Sequence, residues 1–273
     1  MVMPSSTEHW QPFALEAHAD SAVAYLDRVS ATPWLRKVAE CSVEACRLSP
    51  GQSVLEIGCG SGVFLPRLAE VVGPLGKVFG IDAAPALVDT ARRRMAATTW
   101  VTVERADAYH LPYADNTFDG VHCERVLIHL DHPLRVLREM ARVAKPDGRI
   151  VAAEPDWGGL QLAASDPAAA TTLLQGWLRG LAQPRLGLEL YGYFAEAGFV
   201  DVAATPVATD LTDFAEVVGY GVNLEHAAAE LDASGVMNLA RSRAVLAEWS
   251  DASAAHRFFG YLAMIVVAGR VPR

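Results

Sequence analysis

The sequence is poor in cysteine, in positive charge and in long apolar runs, and each shortage argues against a class of protein. Four cysteines occur among 273 residues and form no CxxC pair, so we expect no disulfide framework and a reducing, cytoplasmic setting. The formal net charge of −9 leaves no broad basic surface, which disfavours nucleic acid as a partner. The longest apolar run, residues 258–268, is too short to span a bilayer, and residues 1–10 lack the features of a signal peptide. We therefore expect no stable membrane anchoring.

A glycine-rich stretch follows the first predicted strand. Residues 54–62 read V-L-E-I-G-C-G-S-G, an apolar run followed by glycines at 58, 60 and 62, and a helical period resumes at 63–72. Such a strand, turn and helix lets the backbone approach a ligand closely, since glycine has no Cβ. The dinucleotide fingerprint GxGxxG needs a glycine where Val63 stands. A nicotinamide-dependent oxidoreductase is therefore only a distant alternative.

Acidic residues follow successive predicted strands. Further strands are predicted at residues 77–81, 100–105, 120–123 and 149–153 with helical patterns between several of them, which indicates an α/β doubly wound sheet. Asp82, Asp107 and Glu124 stand at the carboxyl ends of three of these strands, and those ends meet at one edge of the sheet. A carboxylate can accept hydrogen bonds from ribose hydroxyls or from the exocyclic amine of adenine. The pattern predicts a nucleoside site at this edge.

Four strings together resemble one family. They are the ExGxGxG pattern beginning at Glu56, L-P-Y-A-D-N-T-F-D-G-V at 111–121, V-L-I-H-L at 126–130 and A-R-V-A-K-P-D-G-R-I at 141–150. They resemble the class I S-adenosyl-L-methionine (SAM) dependent methyltransferases, in particular the small-molecule type of ubiquinone and menaquinone biosynthesis, over about residues 48–157. The resemblance implies a Rossmann-like, doubly wound, seven-stranded and mostly parallel sheet with an antiparallel last strand. It also implies SAM as the cofactor.

The resemblance implies a set of cofactor-binding residues along the strand ends. Asp82 would take the ribose hydroxyls, with a role as a helix N-cap as the alternative. Asp107 would bind the adenine edge, and Glu124 would hold the amino acid end through its side chain or its backbone carbonyl. For Glu56 an alternative is that its carboxylate accepts backbone N–H groups and orients the loop. The full set is Glu56, Gly58, Cys59, Gly60, Asp82, Ala83, Asp107, Ala108 and Glu124.

Candidate catalytic and substrate-binding residues come after the fourth and fifth strands and from the first helix. His129 is the first candidate for a general base, with capping or packing as the alternative, and Asp156 is the second, with turn structure as the alternative. Trp157 would stack on an aromatic substrate or face the sulfonium, with turn structure as the alternative. Arg125 would pair either with a substrate carboxylate or with its neighbour Glu124. Tyr25 either covers the pocket or packs between helices. The histidines and cysteines show no metal-ligand spacing, so no metal is predicted.

We expect the chain to divide into a helical lead-in or lid at 1–48, a SAM-binding core at 49–205 and 258–273, and a helical cap at 206–257 within the same domain. The cap would enclose a small-molecule substrate, such as a secondary or quinone-like metabolite. Methyl transfer to oxygen, nitrogen or carbon is the main hypothesis. A SAM-binding cyclase that transfers no methyl group is the alternative. The sequence leaves a homodimer open.

Overall fold

The computed structural model describes residues 18–273 and places them around one eight-stranded sheet. Two helices come first, α1 (Ala19–Ser30) and α2 (Pro33–Cys46). The regular alternation of strands and helices then runs through β1 (Ser53–Ile57), α3 (Leu65–Val72), β2 (Lys77–Asp82), α4 (Pro85–Met95), β3 (Val101–Arg105), β4 (Phe118–Glu124), α5 (Pro133–Val143) and β5 (Ala144–Pro155). The predicted α/β class is confirmed.

Strand β1 lies at the centre of the parallel part of the sheet. It pairs in parallel with β2 and β4, and the sheet continues outward as β3-β2-β1-β4-β5. Val54, Leu55 and Ile57 are fully buried because helices pack on both faces of the strand. The direction of strand order reverses between β1 and β4, which opens a crevice beyond their carboxyl ends.

The C-terminal part is antiparallel and more helical. Its elements are β6 (Gln161–Leu162), α6 (Pro167–Leu178), α7 (Leu186–Glu196), β7 (Val200–Leu211), α8 (Phe214–Gly219), α9 (Leu224–Ala233), α10 (Leu239–Ala254) and β8 (Gly260–Arg270). Strand β8 pairs antiparallel with β5 and β6 along one edge and with β7 along the other. The antiparallel end of the sheet is therefore confirmed.

Two details differ from the sequence prediction. The short strand β6 raises the strand count from seven to eight. Strand β7 extends to Leu211, so residues 206–211, which were predicted to begin the cap, pair with β8 instead. This edge strand contains Pro206 and few buried side chains, so it lacks the apolar alternation by which a strand is recognised. Within residues 18–273 no helix is long and apolar enough to cross a membrane.

Helix α2 fixes the lead-in against the sheet. Thr32 caps it, since its Oγ1 accepts the Leu35 N–H at 3.3 Å, and Pro33 begins the first turn. The indole N–H of Trp34 donates to the Val207 carbonyl at 2.8 Å, which ties α2 to the antiparallel strand β7. These contacts hold α1 near the crevice at the strand ends.

Candidate active site

A cavity of about 690 Å³ lies at the carboxyl ends of the parallel strands. Backbone turns and carboxylates that follow β1, β2, β3 and β4 form one side of its lining, which we call the strand-end half. Aromatic and aliphatic side chains from α1, the turns after β4 and β5, α6 and the segment after α8 form the other side, which we call the aromatic half. The aromatic half includes Tyr25, Leu130, Trp157, Trp177, Leu181 and Tyr220. The volume is typical of a small-molecule site.

The glycine turn after β1 depends on close packing. Gly58, Gly60 and Gly62 have φ angles of 65°, 54° and 85°, in the left-handed region that favours glycine. A Cβ at Gly58 would collide with Cγ2 of Val126, which belongs to the turn after β4. A Cβ at Gly62 would lie 3.0 Å from the Cβ of Ala91 on α4. The glycines therefore let the β4 turn and α4 approach the backbone.

Asp82 at the end of β2 braces the glycine turn. One carboxylate oxygen accepts the Gly60 N–H at 2.9 Å, and the other accepts the Ala84 N–H at 2.9 Å. Burial raises the pKa of this carboxyl, while the backbone N–H groups oppose the rise. Asp82, Ala83 and Cys59 all line the cavity, and their contact with a cofactor stays a prediction. Each Asp82 oxygen keeps a lone pair that can accept a ligand hydroxyl.

Glu56 lines the cavity but has a partner that the sequence analysis missed. Its Oε2 lies 2.6 Å from Nδ1 of His122 on the neighbouring strand β4, and both side chains are buried. The His122 ring stacks on Phe64 with centroids 4.4 Å apart. Burial raises the pKa of Glu56 and His122 opposes the rise. Burial disfavours protonation of His122, yet the nearby Glu56 raises its pKa overall. The partner of Glu56 is thus the His122 side chain, where a ligand or backbone N–H groups were expected from the sequence.

Asp107 and Ala108 line the cavity beyond β3. Oδ1 of Asp107 accepts the Tyr109 N–H at 2.9 Å, which shapes the turn, and the side chain is 61% exposed. The carboxylate is therefore accessible. Its assignment to the adenine edge stays a prediction.

Glu124 and Arg125 pair at the end of β4. Nε of Arg125 donates to Oε1 of Glu124 at 3.1 Å, which is the alternative to a substrate carboxylate that the sequence analysis left open. Oε2 of Glu124 is buried and has no hydrogen-bond partner within residues 18–273. An acceptor in this state fits a cationic donor such as the ammonium group of an amino acid. Both residues line the cavity.

His129 lies in a short 3₁₀ turn, Leu127–His129, and lines the cavity. Burial, together with the nearby positive charge of Arg125, lowers the pKa of His129 to about 3. A general base works best with a pKa near neutral, and the pKa of His129 lies far lower because burial disfavours the charged imidazolium. The ring is uncharged at neutral pH.

Only one of the two candidate residues after β5 lines the cavity. Trp157 lines the cavity and meets Trp177 edge to face, with centroids 5.2 Å apart. Asp156 is not among the residues that line the cavity, because its side chain turns toward the glycines at 158 and 159. Burial raises the pKa of Asp156, and the nearby Arg185 opposes the rise. The structure therefore does not place Asp156 where the sequence analysis expected a base.

The segment after α8 reaches the cavity through contacts with α1. The Tyr25 hydroxyl donates to the Tyr220 carbonyl at 3.1 Å, and Nη2 of Arg28 donates to the Gly219 carbonyl at 2.6 Å. The Tyr220 ring meets Trp34 edge to face at 5.3 Å. Tyr25 thus both packs between helices and lines the cavity. Tyr220, Trp177 and Leu181 were missed, because no local spacing links them to the motifs.

Comparisons with known proteins show what the chain is similar to. A family profile described as a methyltransferase domain matches residues 55–152. The chain is 32% identical over 259 residues to an uncharacterized 37.1 kDa protein of transposon TN4556 from Streptomyces fradiae, covering 93% of this chain and 73% of that protein. It is 30% identical over 182 residues to a demethylmenaquinone methyltransferase of Anoxybacillus flavithermus, covering 60% of this chain and 77% of that enzyme. Against several other demethylmenaquinone methyltransferases, the chain spans only 43–47% of their length.

One solved structure shares the fold over nearly the whole chain. It is a chain in a structure named as the complex between the Haloferax volcanii Trm112 methyltransferase activator and “the putative methyltransferase”. The TM-score is 0.61 at 19% sequence identity, and the alignment covers 96% of this chain and 97% of that chain. At this identity the likeness concerns the fold.

Proposed function

The chain belongs to the class I SAM-dependent methyltransferases, and we propose that it transfers a methyl group to a nucleophilic atom of a small molecule held in the aromatic half of the cavity. The observation that carries this proposal is the division of one cavity into a strand-end half with carboxylates and a glycine turn, and an aromatic half. The first suits an adenosyl amino acid and the second suits a flat, apolar acceptor.

SAM is the cofactor of this family, and the strand-end half fits it. Asp82 would hold the ribose hydroxyls through the lone pairs that the backbone N–H groups leave free. The buried, unpartnered Oε2 of Glu124 would accept from the amino acid end. Gly58, Cys59, Gly60, Ala83 and Ala108 would line the remainder of the site. When bound, SAM supplies a methyl group already activated by its sulfonium.

The residues of the chain then supply alignment and exclusion of water. Helix α1 and the segment after α8 form one roof, because Tyr25 and Arg28 bond to the backbone at Tyr220 and Gly219. His129 faces the cavity as an uncharged ring. With its pKa lowered to about 3, it suits the orientation of a nucleophile better than the removal of a proton from a weak acid.

The aromatic half favours a substrate with an apolar ring. Trp157 and Trp177 form an edge-to-face pair, and Tyr25 and Tyr220 lie on the roof. We propose a quinone-like or other secondary metabolite as the acceptor, methylated on oxygen, nitrogen or carbon. Relatives that are named as demethylmenaquinone methyltransferases support this choice.

A methyl-transfer assay tests the proposal. The purified chain is incubated with SAM and a panel that begins with 1,4-naphthoquinol and simple phenols, and S-adenosylhomocysteine (SAH) and the product mass are followed together. We expect SAH release that depends on the acceptor and a product heavier by one methylene. Conversion of an acceptor without SAH release would support the cyclase alternative instead. If no ring-bearing acceptor in a broad panel releases SAH, the proposed substrate class is wrong.

A further inference from the structure

The turn after β4 forms a wall of the cavity, and its backbone continues the hydrogen bonding between β4 and β5. The regular ladder ends where the Arg125 N–H donates to the Ala153 carbonyl at 2.9 Å. The next two N–H groups, of Val126 and Leu127, both donate to Oε1 of Glu154, at 2.9 and 2.7 Å. A side chain therefore takes over where the strand backbone stops.

Glu154 is buried and does not line the cavity. Its Oε2 has no hydrogen-bond partner within residues 18–273, so this carboxyl is kept inside the protein at a cost. Burial raises its pKa to about 8, the N–H groups of Leu127, Val126 and Ile128 lower it, and Glu124 raises it further. Burial therefore favours the uncharged acid over the carboxylate. The contacts of Oε1 explain why an oxygen is needed at this position.

The turn that Glu154 holds contacts both halves of the site. Val126 packs against Gly58 so closely that a Cβ there would collide with it. His129, at the other end of the turn, lines the cavity. Between β4 and the turn, Arg125 has a φ of 56°, an unusual conformation for a residue with a side chain. Such a backbone persists only when its surroundings hold it in place.

We propose that Glu154 is a positioning residue that fixes the position of the turn after β4. Through this turn it also fixes the glycine turn that receives the cofactor and the position of the His129 ring. Its oxygen acts on two backbone amides and touches neither cofactor nor substrate. The expected effect on cofactor affinity requires only that the chain binds SAM. The effect on His129 rests on the proposed function.

Two variants separate positioning from folding. Glu154→Leu keeps the approximate size but removes the acceptor of the Val126 and Leu127 N–H groups. Glu154→Gln keeps a carbonyl oxygen and resembles the uncharged acid. Binding of SAH is measured by calorimetry and stability by thermal unfolding. We expect Glu154→Leu to weaken SAH binding by about tenfold or more and Glu154→Gln to restore it to within about threefold of the original chain.

The matched control is Glu139→Leu. Oε2 of Glu139 likewise accepts a loop amide, the Leu111 N–H at 3.0 Å, but neither residue lines the cavity. This variant should lower stability and leave SAH affinity unchanged. If Glu154→Leu folds and binds SAH within about twofold of the original chain, or if it behaves like Glu139→Leu, the positioning role is wrong.

Amide hydrogen exchange of the unaltered chain provides a second measurement if Glu154→Leu does not fold. The Val126 and Leu127 amides should exchange as slowly as amides in the middle of β4, because both are bonded to a buried carboxyl. Fast exchange at these two amides would overturn the proposal. Neither experiment uses a methyl acceptor, so failure of the positioning role is distinguishable from failure of the proposed methyl transfer.

Discussion

The two halves of the cavity are assembled in different ways. The strand-end half is formed by residues that directly follow β1, β2, β3 and β4, between positions 56 and 124. The aromatic half joins positions as distant as Tyr25, Trp157, Trp177 and Tyr220. The strand-end half is specified by the ends of parallel strands, whose geometry is common to doubly wound sheets. The aromatic half depends on how helices pack over that sheet, which no short sequence pattern encodes.

This difference suggests a division of roles. Strands β1, β2 and β4 are paired on both sides and β3 on one, so we expect the groups at these strand ends to be held in place before any ligand binds. The aromatic half is joined across the roof by bonds to the backbone from Tyr25 and Arg28. We therefore expect changes in the strand-end half to act on cofactor affinity and changes in the aromatic half to act on turnover and acceptor binding. The following predictions test that separation.

The largest effect is expected from Gly58→Ala. The new Cβ would collide with Val126, so the glycine turn and the β4 turn must move apart. The alanine would also have to adopt a φ of 65°, which is strained for a residue with a side chain. We expect SAH affinity, measured by calorimetry, to fall by about 100-fold, since strain and displaced packing act together. The control is Gly198→Ala, where φ is 88° but nothing lies within 4 Å of the added Cβ. Equal SAH affinity in the two variants would contradict the close-packing account.

Asp82→Ala is expected to have the next largest effect. It removes the acceptor for the Gly60 and Ala84 N–H groups and the proposed acceptor for the ribose. SAH affinity should fall by about 1 to 3 kcal/mol in calorimetry. Asp89→Ala is a suitable control, because Asp89 is an exposed carboxylate on α4 that pairs with Arg92. An unchanged affinity for Asp82→Ala would show that the ribose is misplaced.

The sequence predicts the strand-end half better than the rest for a physical reason. The glycine turn, Asp82 and the succession of strands follow from local patterns, and the structure places the glycine turn and Asp82 at the cavity. The pairing of Glu56 with His122 was missed, because it joins neighbouring strands that are 66 positions apart in sequence. Strand β7 was predicted too short, since this edge strand buries few of its side chains and so shows little apolar alternation.

His129, in the turn after β4, tests the role that we assign to the aromatic half. His129→Ala should slow turnover by about tenfold while SAH affinity stays within about twofold, because the ring lines the cavity without a predicted cofactor role. Turnover of the original chain should show no rise near pH 6.5, since the pKa of His129 is lowered to about 3. A rise at that pH that His129→Ala abolishes would contradict the burial of the ring.

The same residue gives a prediction about stability. A histidine with a lowered pKa in the folded chain stabilises it above the unfolded pKa of about 6.5, and this contribution is lost as pH falls toward 3. Between pH 7 and pH 5 the original chain should lose about 2 kcal/mol of unfolding free energy relative to His129→Ala. Chemical denaturation at the two pH values measures this difference. Parallel losses in both chains would show that His129 is exposed to water.

The smallest effect is expected from Tyr25→Phe. It removes one hydrogen bond, from the Tyr25 hydroxyl to the Tyr220 carbonyl, and keeps the ring. We expect the free energy of unfolding to fall by about 0.5 to 1.5 kcal/mol and the KM for the acceptor to rise, with SAH affinity unchanged. Weaker SAH binding in this variant would contradict the expected division of roles between the two halves.

The most direct test of the account is a crystal structure of the chain with SAH. The account predicts the adenosyl group beside Asp82 and Asp107, the amino acid end near Glu124, and the Trp157 and Trp177 side chains still open to an acceptor. SAH lying against those tryptophans, or bound away from the strand ends, would contradict the division of the cavity on which the proposed methyl transfer rests.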